Sequence, residues 1–325
     1  MNLLNGLYRA AMQTRNTLYD RGVLRARRLR GPVVSVGNLS TGGAGKTPFV
    51  ILLGSLLAKR GIAFDVLSRG YGRQTHGVAL VDPAGSPQEF GDEPLLIARR
   101  LRVPVIVGES RYGAGRFAEA KFGPLLHLLD DGFQHRSLAR DFDIALVSED
   151  DARDRLLPTG RLREPLAALL RAHAVVLAEG VDASFLPANT PLLWRTRRGI
   201  DLVGVDLKKI APTSPLHRPI AFCGIARPQR FFHDLDSAGI ACALEIPFPD
   251  HHRYTEKDIQ RLLRLKEEKN CSGFLTTEKD AINLGEQASA LTPLAAIPAR
   301  MDLLDADRAL DTLLGSIGVG GKKRK

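Results

Sequence analysis

The segment from residue 33 to residue 48 constrains the fold more than any other part of the chain. It begins with the β-branched apolar run 33–36, which is typical of a buried strand, and leads into the apolar segment 49–57, which is typical of a helix. Between them lies a glycine-rich turn that ends in Lys46 and Thr47. This order predicts a strand, a phosphate-binding loop and a helix.

Such a loop binds phosphate because glycines let successive backbone N–H groups converge on oxygen atoms at the positive end of a helix. Ser40 stands where the common motif has its first glycine. We expect Lys46 to reach the β- and γ-phosphates and Thr47 to hold Mg²⁺. The predicted nucleotide-binding residues are Thr41, Gly42, Gly43, Ala44, Gly45, Lys46 and Thr47.

The charge of the chain lies at its two ends. Residues 1–30 contain seven arginines against one acidic residue, and residues 322–325 are all basic, in a chain of 325 residues with net charge +10. The remainder is neutral, which argues against a nucleic-acid binder with a basic stripe across its folded surface. Three widely spaced cysteines predict neither a disulfide framework nor a zinc site.

The first twenty residues predict an amphipathic helix. Its leucines fall mainly on one arc, the side opposite is polar, and no apolar run is long enough for a transmembrane helix or a signal peptide. Two interpretations remain open: a helix that lies on an anionic membrane surface, or one that packs its apolar arc on its own domain. The flanking arginines favour the membrane.

Strands alternate with helices over residues 31–180, which predicts a parallel sheet with helices on both faces. Residues 183–217 contain short alternating runs that predict a two-stranded linker, and a second α/β unit begins near residue 219.

Several polar residues follow predicted strands or begin predicted helices. Asp130 and Asp131 end an apolar run, where phosphate-binding-loop proteins hold magnesium, although a turn pair is the alternative. Arg69 lies in a glycine-rich turn after a strand, where α/β sheets place ligands. By sequence alone, Asp92 fits a helix cap and His251 a solvated turn.

A set of short motifs in this order resembles the tetraacyldisaccharide 4′-kinase family, which acts in lipid A biosynthesis. The motifs are the segments 37–48, 68–72, 91–94, 130–135, 162–165, 222–225, 250–251 and 277–280. The resemblance extends from the N-terminal helix to about residue 300. That family's phosphate-binding loop also begins irregularly, so Ser40 fits it.

The resemblance implies two α/β/α sandwich domains, the first like a P-loop NTPase with a mostly parallel sheet, joined by a two-stranded β linker and preceded by an amphipathic helix. The expected boundaries are residues 1–30 for the helix, 31–182 for the kinase domain, 183–217 for the linker, 218–318 for the second domain and 319–325 for a basic tail. The implied ligands are ATP, Mg²⁺ and an acylated glucosamine disaccharide 1-phosphate. The implied location is the cytoplasmic face of the bacterial inner membrane, with no nucleic acid and no obligate protein partner.

The resemblance also implies roles for single residues. Asp92 becomes the general base on the sugar 4′-hydroxyl, paired across the interdomain cleft with His251, for which the adjacent His252 is the alternative. We expect that histidine to raise the proton affinity of Asp92 during transfer. The predicted metal ligands are Thr47, Asp130 and Glu164. Supporting or substrate roles fall to Asp131, Arg69, Arg111 and Arg163.

Two other functions remain as alternatives. A kinase for a soluble sugar or nucleoside would use the same chemistry but would not need the basic amphipathic N-terminus. A P-loop switch ATPase would hydrolyse ATP slowly, would phosphorylate no acceptor and would leave Asp92 and His251 without a task.

Overall fold

The computed structural model describes residues 3–203, 205 and 218–319, which contain ten α-helices and thirteen strands. The helices are α1 Leu3–Asp20, α2 Lys46–Lys59, α3 Pro87–Phe90, α4 Asp92–Leu101, α5 Arg111–Phe122, α6 Glu149–Arg153, α7 Pro228–Ser237, α8 Glu256–Glu268, α9 Glu278–Leu284 and α10 Ala306–Ser316. The strands are β1 Val33–Asn38, β2 Phe64–Ser68, β3 Ala79–Leu80, β4 Val105–Val107, β5 Leu126–Asp130, β6 Phe142–Leu146, β7 Ala174–Ala178, β8 Leu192–Ile200, β9 Ile220–Cys223, β10 Leu244–Pro247, β11 Phe274–Thr277, β12 Leu294–Ile297 and β13 Ala299–Leu303. Within these described ranges, two short 3₁₀ helices cover Leu166–Arg171 and Gly285–Ala290.

The larger sheet has the strand order β13-β8-β7-β6-β1-β5-β2-β4-β3. Its central strands are parallel, and of the strand pairs in the described part of the chain only β13–β8 and β3–β4 are antiparallel. Every residue of β1, β2, β5 and β6 is buried, as expected for parallel strands covered on both faces. The predicted α/β fold with a mostly parallel sheet is confirmed.

The position of β1 determines where a ligand can bind. It lies between β5 and β6, with Val36 opposite Asp130 in the register of β5. The carboxyl ends of β1, β5 and the neighbouring β2 therefore meet at one edge of the sheet. Open α/β sheets bind ligands at this edge.

Helix α2 packs its apolar side on this sheet. Phe49, Leu53 and Leu57 are fully or almost fully buried in a cluster that also contains Val34 and Val36 of β1. Burying side chains of this size contributes about 1.5–3 kcal/mol each. This packing fixes the start of α2, and with it the loop that precedes the helix.

The smaller sheet has the order β10-β9-β11-β12, and all of its strands are parallel. Its two faces are covered by separate apolar clusters. One contains Phe222 and Phe274 with Leu262 of α8, and the other contains Leu235 of α7.

The structure differs from the expected boundaries in two places. The segment 183–217 contributes β8 to the larger sheet, and the antiparallel partner of β8 is β13, not a second strand of the predicted linker. Residues 204 and 206–217 of that segment lie outside the described residues, as does the predicted basic tail apart from Val319. The predicted second domain reaches residue 318, whereas β13 and α10 pack on the larger sheet, where Leu310 and Leu313 are buried beside α2.

Candidate active site

The loop between β1 and α2 is built on glycines with left-handed backbones. Gly42, Gly43 and Gly45 have φ angles of 73°, 67° and 82°, a region that other residues rarely adopt. Ser40 is fully buried, and its backbone pairs with that of Leu162. A serine fits there because strand-like pairing needs no left-handed backbone. The first turn of α2 has no side-chain cap, so its N–H groups are available to an anion.

Lys46, the first residue of α2, is held by two polar groups. Its Nζ lies 3.1 Å from Asn38 Oδ1 and 3.6 Å from Asp131 Oδ1. Arg163 binds the same Asp131 with two hydrogen bonds, of 3.0 Å and 2.9 Å. Although burial acts in the opposite direction, the two cations hold the pKa of Asp131 well below its usual range. The carboxylate therefore stays ionised and positions both cations.

Asp130 ends β5 and is buried with one carboxylate oxygen unsatisfied. Oδ2 accepts a hydrogen bond of 3.0 Å from the Ser68 hydroxyl, and Oδ1 has no partner among the described residues. Burial, with the nearby charges of Glu93 and Asp131, raises the pKa of Asp130 to about 7. A buried carboxylate with an unpaired oxygen is strongly stabilised by a cation.

Arg111 and Arg69 line the same cavity as these carboxylates. Arg111 is the first residue of α5, is 3% exposed, and donates at 3.3 Å to the backbone carbonyl of Asp130. Burial lowers the pKa of Arg111 to about 10, so the guanidinium stays charged at neutral pH. Arg69 is exposed at the end of β2 and lines the same cavity.

The structure does not bring Glu164 to this site. Its carboxylate accepts two hydrogen bonds from Arg171, at 2.6 Å and 2.7 Å, and one of 2.8 Å from Asn16 of α1. Glu164 is absent from the described lining of the cavity. With both oxygens occupied, it fastens α1 to the larger-sheet unit, and the prediction of a metal ligand at this position is corrected.

Asp92 and His251 meet across the cleft between the unit built on the larger sheet and the unit built on the smaller sheet. Asp92 is the first residue of α4, follows Gly91 at φ 89°, and its Oδ2 lies 2.9 Å from His251 Nδ1. Asn283 of α9 donates to the same oxygen at 3.2 Å. The predicted pairing is therefore present in the geometry, and Asn283 adds a second donor.

The surroundings of Asp92 favour its ionised form. Burial by itself would raise the pKa of Asp92, but the hydrogen bond from His251 and the Lys279 ammonium lower it to about 2. In the protein without ligands, the histidine lowers the proton affinity of Asp92, because donors and a cation stabilise a carboxylate. A raised affinity during transfer stays a prediction.

The choice between the two adjacent histidines follows from the loop after β10. His251 has φ 56° and points to Asp92. His252 stacks on Phe248 and lies 3.1 Å from Asp258, whose carboxylate closes the cap of α8. His252 therefore belongs to the local structure of the turn.

A cavity of about 700 Å³ opens between the two sheet units and joins these groups. Its lining includes every predicted nucleotide-binding residue, together with Arg69, Arg111, Asp130, Asp131, Arg163 and His251. The smaller-sheet unit contributes Arg227, whose side chain lies against Gly43. It also contributes the end of β11 and the start of α9. The volume lies within the range of small-molecule sites.

Sequence reasoning gave no role to Asn38, Ser68, Glu93, Lys279 and Asn283. All of them except Asn283 lie inside the family motifs named above, and that position is the sequence signal that could have identified them. Asn283 lies outside these motifs and contacts Asp92 from 191 residues away, so no sequence signal identifies it.

Helix α1 contacts the larger-sheet unit through polar side chains. The Tyr8 hydroxyl donates to the Arg163 carbonyl at 3.0 Å, Arg15 donates to the Gln134 carbonyl at 2.8 Å, and Asn16 binds Glu164. Leu4 and Leu7 point away and are 58% and 62% exposed. Among the described residues, no helix combines the length and the apolar character needed to cross a bilayer.

Comparison with known proteins gives the same family as the motifs. The profile of the family described as tetraacyldisaccharide-1-P 4′-kinase matches residues 1–317. A protein of Koribacter versatilis named tetraacyldisaccharide 4′-kinase is 53% identical, covering 97% of this chain and 98% of the relative. A protein of Geobacter metallireducens with the same name is 36% identical, covering 95% of each.

A solved structure is similar over the same extent. The crystal structure of LpxK from Aquifex aeolicus in complex with ATP has a TM-score of 0.76 and 34% identity, covering 97% of each chain. Motifs, whole-chain identity and fold thus agree, and the chain belongs to the tetraacyldisaccharide 4′-kinase family.

Proposed function

We propose that this protein transfers the γ-phosphoryl group of ATP to the 4′-hydroxyl of tetraacyldisaccharide 1-phosphate. The observation that carries the proposal is the meeting of Asp92 and His251 beside a cavity whose other wall is a phosphate-binding loop. A switch ATPase has no use for a carboxylate–histidine pair at that position. Family membership favours this acceptor, and the solved relative in complex with ATP favours this donor.

In the proposed reaction, the loop N–H groups and Lys46 bind the phosphates, and Arg111 and Arg163 offset charge as it moves between oxygens. The 4′-oxygen forms a bond to the γ-phosphorus while the bond to the β–γ bridging oxygen breaks. Asp92 accepts the hydroxyl proton. Because the phosphoryl transition state is loose, a weakly basic carboxylate serves if it is ionised and correctly placed.

The residues beside the loop fit Mg²⁺. No group of three or more His, Cys, Asp or Glu side chains within the described ranges is arranged to hold a metal alone. Mg²⁺ usually takes one or two carboxylates plus phosphate oxygens, and the unsatisfied Oδ1 of Asp130 fits that pattern. We assign Thr47 and Asp130 as its protein ligands, with Asp131 in support; the ion would neutralise phosphate charge.

We further propose that α1 lies on the cytoplasmic face of the inner membrane. Its polar side chains bind the larger-sheet unit, and Leu4 and Leu7 face outward. A helix that packed its apolar arc on its own domain would have the opposite orientation. The arginines of residues 1–30 complement anionic lipid. The amphipathic helix would thus place the cavity near an acylated substrate.

The two sheet units would act as two domains that close on ATP and lipid. The proposal rests on the shared cavity and on the contact between Asp92 and His251, which come from different units. Strand β8 and the segment after it would form the connection, in place of a separate two-stranded linker.

The primary test measures phosphate transfer from labelled ATP to tetraacyldisaccharide 1-phosphate in detergent micelles. We expect Asp92→Ala to lower the rate by about 10²-fold or more, as for the loss of a general base. A wild-type protein that hydrolyses ATP and leaves the lipid unmodified would favour the switch ATPase. Phosphorylation of a soluble sugar or nucleoside instead would favour the other alternative.

The membrane proposal has its own test in flotation with anionic phospholipid vesicles. The double variant Leu4→Ser with Leu7→Ser should release the protein from vesicles without lowering its Tm, because both side chains are exposed. The matched control is Leu192→Ser with Leu193→Ser, which changes leucines that are 44% and 39% exposed on β8. Equal release by both pairs would contradict a specific role for α1.

A further inference from the structure

The Lys279 ammonium lies among four groups of the active site. Its Nζ is 3.2 Å from His251 Nε2, 3.4 Å from Glu93, 3.7 Å from Asp92 and 3.8 Å from Asp250. Lys279 belongs to α9 of the smaller-sheet unit, whereas Asp92 and Glu93 belong to α4 of the larger-sheet unit. One cation therefore contacts both members of the proposed dyad and both units.

The contact with His251 fixes where the ring proton must lie. A lysine ammonium has three donors and no acceptor, so Nε2 must offer its lone pair to Lys279. The proton of the neutral imidazole is then on Nδ1, and that N–H donates to Asp92 at 2.9 Å. The second contact of a histidine commonly determines its tautomer in this way.

Other charges around the ring favour a second proton on it. Asp250 Oδ2 lies 3.9 Å from Nε2 and would accept a proton from it. Asp92 and Glu93 add negative charge from α4, and Glu278 and Asp280 do so from α9 itself. The charge of Lys279 opposes protonation of His251, while Asp92 favours it. Removing the ammonium therefore leaves carboxylates on two sides of the imidazole.

We propose that Lys279 is a positioning residue that holds His251 as the Nδ1–H tautomer and so directs its N–H to Asp92. The inference rests on the proposed function for its kinetic consequence, but the tautomer itself is a property of the protein without substrate. Lys279 also attracts α4 towards α9, which keeps Asp92 and His251 within hydrogen-bonding distance.

The test compares Lys279→Met and Lys279→Arg with Arg100→Met. Arg100 is a matched control because its 3.0 Å ion pair with Glu278 also joins α4 to α9 without touching the dyad. Long-range ¹H–¹⁵N spectra of histidine-labelled protein report the tautomer, and the signals of His251 are identified by their loss in His251→Ala.

In wild type at pH above the pKa of His251, we expect a proton on Nδ1 and a bare Nε2. In Lys279→Met, the pKa of His251 should rise by about one unit or more, so that Nε2 carries a proton at pH values where it is bare in wild type. Lys279→Arg and Arg100→Met should retain the wild-type tautomer. An unchanged tautomer and pKa in a folded Lys279→Met protein would overturn the proposal.

Kinetics give a second, separate readout. Lys279→Met should lower kcat roughly tenfold or more with KM for ATP changed by less than about threefold, and Lys279→Arg should recover most of the loss. A loss of the same size in Arg100→Met would show that the lysine only fastens the two units. If wild type does not phosphorylate the lipid, the proposed function fails, and the tautomer measurement still decides the role of Lys279.

Discussion

The substitution His251→Ala gives a direct measure of what the histidine contributes to Asp92. The structure shows one hydrogen bond of 2.9 Å from Nδ1 to an ionised acceptor. Such a bond contributes about 1.5–3 kcal/mol, and about 1.4 kcal/mol corresponds to a tenfold change in rate. If the bond orients Asp92 in the transition state, kcat should fall roughly 10- to 150-fold.

The pH dependence of the same variant follows from the pKa of Asp92. A base with a pKa of about 2 is ionised throughout the neutral range, so its protonation does not limit the wild-type enzyme above about pH 4. A lowered pKa also contributes stability above the ordinary value of 3.8, and this stability is lost as the pH falls towards 2. Without His251, burial still raises the pKa while one stabilising donor is missing. The acidic limb should therefore move upward by about one to two units.

The assay is phosphoryl transfer to the lipid acceptor from pH 3 to pH 9, with His252→Ala as the control. His252 is the adjacent histidine in the same loop, but it contacts Asp258 and Phe248. Its loss should lower stability and leave kcat within about twofold. Equal losses of kcat in both variants, or a change below about threefold in His251→Ala, would refute the reasoning.

Three further predictions concern the loop, the core and the buried acid. Gly43→Ala puts a methyl group 2.9 Å from Arg227 at a residue with φ 67°, and should weaken ATP binding about tenfold in calorimetry. The control Gly61→Ala, at φ 69° in open space, should leave ATP binding unchanged. Leu128→Ala empties a fully buried position in β5 and should lower the free energy of unfolding by about 2–5 kcal/mol in urea titrations; a loss below about 1 kcal/mol would contradict the packing. Because burial raises the pKa of Asp130 to about 7, ionisation of this carboxyl opposes folding as the pH rises. Asp130→Asn should therefore raise Tm at pH 8 without Mg²⁺ and abolish most phosphoryl transfer, and a lowered Tm would argue against a destabilising unpaired charge.

The sequence was sufficient for the parts of the site that depend on neighbours in the chain. The run 33–36, the glycines and Lys46 form a local strand, loop and helix, and the structure has them as β1 and α2. Asp130 follows an apolar run, so its place at the end of a buried strand was also predictable. Local patterns of this kind need no knowledge of distant contacts.

The remainder depends on contacts between distant segments. Arg163 and Glu164 are adjacent in one motif, but Arg163 binds Asp131 while Glu164 binds Arg171, and no sequence pattern distinguishes their directions. Lys279 reaches Glu93 from 186 residues away. The pairing of β13 with β8 likewise joins segments about a hundred residues apart, and only the folded chain brings them together.

The return of β13 and α10 to the larger sheet affects the order in which this protein can fold during synthesis. A ribosome releases the chain from its amino end, so the strands of the smaller sheet emerge before β13 and α10 do. Until residue 316 has emerged, α2 lacks the buried contacts of Leu310 and Leu313, and β8 remains an open edge. The larger-sheet unit, although its first strand is synthesised first, is therefore the last to complete its fold. A nascent chain stalled before residue 299 would expose that edge to chaperones.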